Sequence, residues 1–362
     1  MLVCHLSLGL ATGGLERLLT EFARHHDRRR FEPHFASLTG LGPQAEDIRG
    51  AGGVVHTLPD LRGRKIRQLI SLARFVRSLA PDVLHTHNAY AHFYGSLAGR
   101  LAGVPVVVHT RHGRALSGGW SEVALFRVAC HLTGAVVAIS DDVRALSIAQ
   151  GCSPDKCLRI WNGIDTRQFR PSAEAPGAHL ISVGRMEPVK DLATLLHACA
   201  RARERVGLQL VIVGEGSERA ALQALATELG LDSCVRFLGE RTDVPQLLGQ
   251  AAVFVNSSLS EGISLGLLEA MSCGLGVIAT RVGGNVEVID DGETGVLVPP
   301  GDPVQLADAI VSMLSGREKR RLMGQAARQR VCERFEVQRM VADYERLYLD
   351  LARAGTGRVP RL

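Results

Sequence analysis

Glu261 and Glu269 stand eight residues apart in the segment SSLSEGISLGLLEAMSCG, residues 257–274. The apolar run VFVNSS before them reads as a strand, and Ile263–Met271 reads as a helix. The two carboxylates therefore flank a strand-to-helix turn, whose unpaired N–H groups favour anions. Ionised carboxylates beside it accept hydrogen bonds from hydroxyls more strongly than neutral groups do. Phosphate donors and hydroxyl acceptors in one place suit a sugar nucleotide. Taken alone, the pair is equally explained as first-turn acids favoured by the helix dipole.

Other strand exits carry complementary chemistry. Arg185 and Lys190 lie in VGRMEPVKD, with Gly184 ahead of them. Two side-chain cations there can neutralise the charge that grows on a departing diphosphate. No cluster has metal-ligand spacing, so no metal is expected and these cations take the place of Mg²⁺. Gly13 and Gly14, in GLATGGLE, let the backbone approach a phosphate at a helix N-terminus. The spacing is not G-x-G-x-x-G, so a nicotinamide dinucleotide is not indicated. His112, in TRHG, can donate or accept hydrogen bonds near neutral pH, and His109 earlier on that strand is a weaker candidate. Asn162 in NGID and Gly214 in GEG complete the set. Ser140-Asp141-Asp142 reads as a helix cap with two first-turn acids rather than a metal-binding D-x-D. Gly283, Gly284 and Glu287 read as a turn plus a cap. Each motif alone is also explained as a tight turn, a surface charge or a cap.

Together, E-G-I-S-x4-E-A-M-x-x-G, then VIAT and GG-N-V-E, resemble the E-x7-E signature of the group 1 (family 4) retaining glycosyltransferases. The resemblance runs from the N-terminus to about residue 350. It implies the GT-B architecture, an α/β fold of two facing Rossmann-like domains with a cleft between them. It also implies metal-independent transfer of a sugar from a UDP- or GDP-linked donor to a hydroxyl, with no cofactor. By resemblance, Glu269 binds the donor ribose and Glu261 a sugar hydroxyl. Arg185 and Lys190 hold the diphosphate, assisted by N–H groups of Gly262, Ile263, Ser264 and Gly14. His112 sits at the transferred sugar, while Gly13, Asn162, Gly184 and Gly214 lie near the donor. Classical retention needs a carboxylate nucleophile on the ring's far face. None is apparent, so the resemblance implies a front-face route in which the leaving phosphate helps deprotonate the acceptor. Ile263 departs from the usual phenylalanine, and Gly276 from the usual proline before VIAT. GGLER with TRHG is similar to members serving bacterial exopolysaccharide assembly, which implies a glycan or lipid-linked acceptor. The alternatives are a non-catalytic sugar-nucleotide-binding module and a nucleotide-sugar epimerase of the same fold.

Short apolar runs alternate with amphipathic ones through both halves of the 362 residues, which predicts two parallel sheets covered on both faces. The expected domains are 1–168 for the acceptor, 169–334 for the donor, and 335–362 as a helix returning to the first. The segment 166–178, with Pro171, Pro176 and Gly177, reads as the linker. Helix 64–79 carries Arg64, Lys65, Arg67, Arg74 and Arg77, and its stripe Ile66, Leu69, Ile70, Ala73, Val76 is expected to face the core. Peripheral docking of this basic helix to an anionic membrane stays open. Aromatic residues are 4% and the net charge is +5, so nucleic acid is not an expected partner. The eight scattered cysteines without C-x-x-C imply free thiols. With no secretory leader and no apolar run near ~20 residues, a cytoplasmic location is expected.

Overall fold

The computed structural model describes residues 1–11, 13–58, 65–113, 120–172 and 179–354, and of Trp120 only the backbone. Two compact units emerge: Met1–Asn162 with the chain from Val337 onward, and Gly163–Glu336.

In the first unit, strands β1 (Leu2–Ser7), β2 (Glu32–Ser37), β3 (Val54–Thr57), β4 (Val83–His87), β5 (Val106–Arg111), β6 (Ala135–Ala138) and β7 (Cys157–Arg159) form one sheet. Its order is β3-β2-β1-β4-β5-β6-β7, and every pairing is parallel. In the second unit, β8 (Leu180–Val183), β9 (Leu210–Val213), β10 (Val235–Gly239), β11 (Val253–Asn256), β12 (Gly276–Thr280) and β13 (Val296–Val298) form a parallel sheet ordered β10-β9-β8-β11-β12-β13. Both are doubly wound, with the order reversing between β1 and β4 and between β8 and β11. Ligands bind beyond the carboxyl ends of strands at such a reversal. The loops after β1, β8 and β11 carry Gly13–Gly14, Arg185–Lys190 and Glu261–Ser264, so the sequence motifs sit at the switch points.

The second unit's core is aliphatic: Leu195, Leu196, Leu210, Ile212, Val253, Ile278, Ile310 and Met313 are all buried. In the first unit, Leu6, Leu38, Leu72, Val76 and Leu84 pack beneath a sheet whose other buried residues include His5, His85, His87 and His109. The final helix, Val337–Ala354, belongs to this unit. Tyr344 hydroxyl lies 2.9 Å from Thr110 Oγ1, and Tyr348 hydroxyl 2.6 Å from His85 Nδ1.

Three expectations need correction. The chain passes between units at 162/163 and 336/337, not at 168/169 and 334/335. Residues 166–172 are no free linker. Phe169 is buried, its carbonyl accepts from Ser272, and Thr166 Oγ1 donates to Glu336 Oε2 at 2.5 Å. Residues 173–178 lie outside the described residues. The helix Lys65–Leu79 turns Leu72 and Val76 fully inward, while Ile66 and Ile70 are 76% and 47% exposed. The buried stripe is thus rotated from the expected one. Arg64 lies outside the described residues.

No described helix is long and apolar enough to cross a membrane. The eight cysteines are free thiols.

Candidate functional site

In the second unit, a small recess opens at the reversal between β8 and β11. Gly184, Arg185, Lys190, Asn256, Ser257 and Ser258 are among its lining residues. Lys190 ends a short turn, Pro188–Lys190, and Asp191 then takes a left-handed backbone to cap the next helix at Thr194 N. The two loops are tied together: Ser257 Oγ donates to the Lys190 carbonyl (2.9 Å) and Leu259 N to the Val189 carbonyl (2.8 Å).

Glu261 is the most heavily bonded group there. Its Oε1 receives Lys190 Nζ at 2.5 Å, Ser258 Oγ at 2.7 Å and Asn256 Nδ2 at 3.1 Å. Asn285 Nδ2 in turn donates to Asn256 Oδ1 at 3.2 Å. The sequence assigned Lys190 and Glu261 to different parts of a ligand, and the structure makes them one ion pair. Arg185 is exposed and has no ionic partner among the described residues. Ser264 caps the helix Leu265–Ser272, accepting from Leu267 N. The N–H groups of Gly262, Ile263 and Ser264 donate no hydrogen bond among the described residues. Three free donors at a helix start form a ready cradle for an anion. Glu269 lies deeper on that helix, 1% exposed, and does not line the recess.

Glycines set the loop spacing. A side chain on Gly283 or Gly284 would strike the Glu261 or Gly262 carbonyl, and one on Gly214 would strike the Gly184 carbonyl. Gly214 and Gly283 also have positive φ, +134° and +44°. The pair Gly283–Gly284, read from sequence as a turn and cap, is what lets the segment after β12 lie flat on the Glu261 loop. At Gly276 a Cβ would meet Met313 and Arg320, which explains why the proline expected there is absent.

In the first unit, Gly13 caps the helix Gly14–His25 without a side-chain bond. The loop before it is held by Ser7 Oγ on the Gly9 carbonyl (2.8 Å) and Thr39 Oγ1 on the Leu8 carbonyl (2.6 Å). Asn162 is buried, 5% exposed, at the end of this unit. His112 follows β5. Its Nε2 lies 3.0 Å from His87 Nδ1, and its Nδ1 is shielded from water with no hydrogen-bond partner among the described residues. Burial lowers its pKa to about 3, so the ring is neutral. His109 proves to be a packing residue, stacked on His92 at 3.7 Å and bonded to Thr86. Ser140 caps its helix through Val143 N, and Asp141 pairs with Arg159, as a cap rather than a metal motif requires. Residues 114–119, which follow the TRHG motif, fall outside the described residues.

Sequence reasoning missed His5, His26, His85 and His87, and also Asn256, Ser258 and Asn285. The signals were present: VLHTH places His85 and His87 on one face of a strand, and VFVNSS ends an apolar strand in three polar residues.

Residues 12–168 match the description Glycosyltransferase Family 4, and residues 165–330 match Glycosyl transferases group 1. The chain is 31% identical over 288 residues to N-acetyl-alpha-D-glucosaminyl L-malate synthase of Bacillus anthracis, covering 75% of each. It belongs to the group 1, family 4 glycosyltransferases. A UDP-Gal:alpha-D-GlcNAc-diphosphoundecaprenol alpha-1,3-galactosyltransferase of Escherichia coli is 28% identical over 315 residues, 80% of each chain. The fold matches Anabaena HepE, solved with UDP and glucose, at a TM-score of 0.85 and 22% identity over 96% of this chain and 99% of that one. It matches sucrose-phosphate synthase from Thermosynechococcus elongatus at 0.84 and 21% identity, over 98% and 100%. This glycosyltransferase therefore has two Rossmann-like α/β units of the GT-B class, and its family moves sugars from nucleotide-sugar donors.

Proposed function

We propose that this glycosyltransferase takes a UDP-linked sugar and transfers it, with retention and without a metal ion, to a hydroxyl of a glycan or lipid-linked acceptor. The observation that carries this reading is the second unit's recess. Arg185, with no ionic partner among the described residues, and Lys190 line it, and Lys190 pairs with Glu261, which also accepts from Ser258 and Asn256; Asn285 donates to Asn256. Arg185 and Lys190 take the charge that Mg²⁺ carries elsewhere. Glu261 accepts a sugar hydroxyl and shares Lys190 with the diphosphate. Glu269 receives the ribose, and His112 lies by the transferred sugar. UDP is favoured over GDP by the name of the E. coli relative, which specifies UDP-Gal. The diphosphoundecaprenol in that name favours a lipid-linked acceptor met at the cytoplasmic membrane face. The exposed Ile66 and Ile70 beside Lys65, Arg67, Arg74 and Arg77 would rest on such a surface.

A thermal-shift screen with UDP, GDP, ADP and their sugar conjugates tests the donor, since a ligand of the folded state raises Tm by mass action. UDP is expected to give the largest shift, undiminished by EDTA. No shift with any nucleotide would overturn the nucleotide-sugar reading. The product's anomeric configuration, read by proton NMR, tests retention, and product formed without acceptor would indicate epimerisation. Replacing Ile66 and Ile70 by Ser is expected to weaken sedimentation with anionic vesicles and leave transfer to a soluble acceptor intact.

A further inference from the structure

Four histidines of the first unit form an unbroken line of hydrogen bonds. Glu345 Oε1 lies 2.9 Å from His26 Nδ1, His26 Nε2 lies 3.3 Å from His5 Nε2, His5 Nδ1 lies 3.1 Å from His87 Nε2, and His87 Nδ1 lies 3.0 Å from His112 Nε2. The line threads the core beside Phe22 and Phe35, whose ring centroids lie 4.8 and 5.0 Å from that of His5. His5 and His87 are fully buried, and burial pushes both pKa values well below the ordinary range, so these rings are neutral and each carries one proton.

With His26 neutral, the direction of every bond then follows from the Glu345 end. Glu345 Oε1 already accepts from Asp27 N at 2.8 Å, so it accepts from His26, which must hold its proton on Nδ1. A neutral His26 then presents a bare Nε2 lone pair and takes the proton of His5 Nε2, whereas a charged His26 paired with Glu345 would reverse the line. His5 Nδ1 takes that of His87 Nε2, and His87 Nδ1 takes that of His112 Nε2. His112 Nδ1 is left as an acceptor, and it is the nitrogen that has no hydrogen-bond partner among the described residues. A buried polar atom without a partner calls for a ligand group to satisfy it.

We propose that Glu345, His26, His5 and His87 are positioning residues that lock His112 in its Nε2–H tautomer, so that Nδ1 accepts a hydrogen bond from a sugar hydroxyl. This rests on the reading of His112 as a site residue. The line itself is independent of that reading.

Long-range proton–nitrogen NMR of the full chain labelled with ¹⁵N-histidine tests the line directly. At neutral pH, His5, His87 and His112 are expected protonated on Nε2 and His26 on Nδ1. His112 protonated on Nδ1 would overturn the proposal. In Glu345→Ala, two tautomers of His112 and a fall in kcat of about tenfold or more, with little change in donor KM, are expected. Glu345→Gln keeps an accepting oxygen and should restore both readouts. A Glu345→Ala protein with wild-type tautomers and a lowered Tm would show a merely structural role. One equivalent of zinc held by His5, His85 and His87 would also overturn the proposal, because the metal would take lone pairs the line uses. If His112→Ala transfers normally while the tautomers are as expected, the site reading fails and the line stands.

Discussion

The two units share a doubly wound sheet but fill it differently. All but two of the 13 histidines, His179 and His197, fall in the first unit, and six of them lie buried on or beside β1, β4 and β5. The second unit packs Leu, Ile, Val and Met behind its sheet and places the ion pair of Lys190 and Glu261 at its strand reversal. One architecture thus supports two ways of placing polar groups. In the first, they run through the core and are satisfied by one another. In the second, the core is kept apolar and the polar groups stand at the strand ends. The cost of burying polar groups is removed by partners in the first case and avoided in the second.

Acid should separate the units most sharply. His5, His85, His87, His92, His109 and His112 all have folded-state pKa values lowered from 6.5, by burial first. Above that value the neutral ring costs nothing. Below it the unfolded chain binds protons that the folded chain refuses, so stability falls as the pH drops through 6.5 toward the folded values. Each ring contributes ~1.4 kcal/mol per pH unit in that window. Six of them exhaust a typical stability of about 5–15 kcal/mol within roughly two pH units. Hydrogen exchange at pH 5 against pH 7 should show protection lost from peptides of residues 1–162 before those of 180–336. The reverse order would break the comparison.

The next largest effect belongs to the second unit and should be chemical. Lys190→Ala removes one cation from the recess and leaves Glu261 without its ion-pair partner. A loss of about 10²–10³ in kcat is expected, with Arg185→Ala similar in turnover and Glu269→Ala acting mainly on donor KM. Steady-state kinetics read all three, and unchanged rates in Lys190→Ala and Arg185→Ala would remove the second unit from catalysis. Gly284→Ala should cost about 2–3 kcal/mol and lower activity as well, because the added methyl must push the Glu261 loop away. Urea denaturation with parallel assays checks both. The smallest change, Ser264→Ala, removes one helix cap at about 1 kcal/mol, read by the same titration. Activity nearly unaltered there would show that the loop's free N–H groups, not the cap, matter for the ligand.

The sequence sufficed for most of the second unit's site. Arg185, Lys190, Glu261 and Gly262 lie within short loops after apolar strands, where local spacing fixes position. The strands themselves were legible for the same reason: runs such as VLHTH and VFVN are buried on both faces, and composition alone marks them. The helix Lys65–Leu79 was legible as a helix but not in its rotation, because a wide apolar stripe fits the core in more than one orientation. The pairing of Lys190 with Glu261, 71 positions apart, was not legible. Nor was the task of Gly283 and Gly284, since close approach of two backbones leaves no local trace.

What the sequence by itself determined was the alternation of strand and helix, and with it the parallel sheets, their strand-end loops and the residue types those loops present. Local preference and burial periodicity act over ten residues or so, and they are enough for that. Only the tertiary structure decided which loops meet, that Glu345 faces His26 across 319 positions, and that histidines of two strands join one just after a third strand and one just after a helix in a single line. Those contacts follow from strand order and from the return of the last helix, and directional hydrogen bonds then select one arrangement of protons among many.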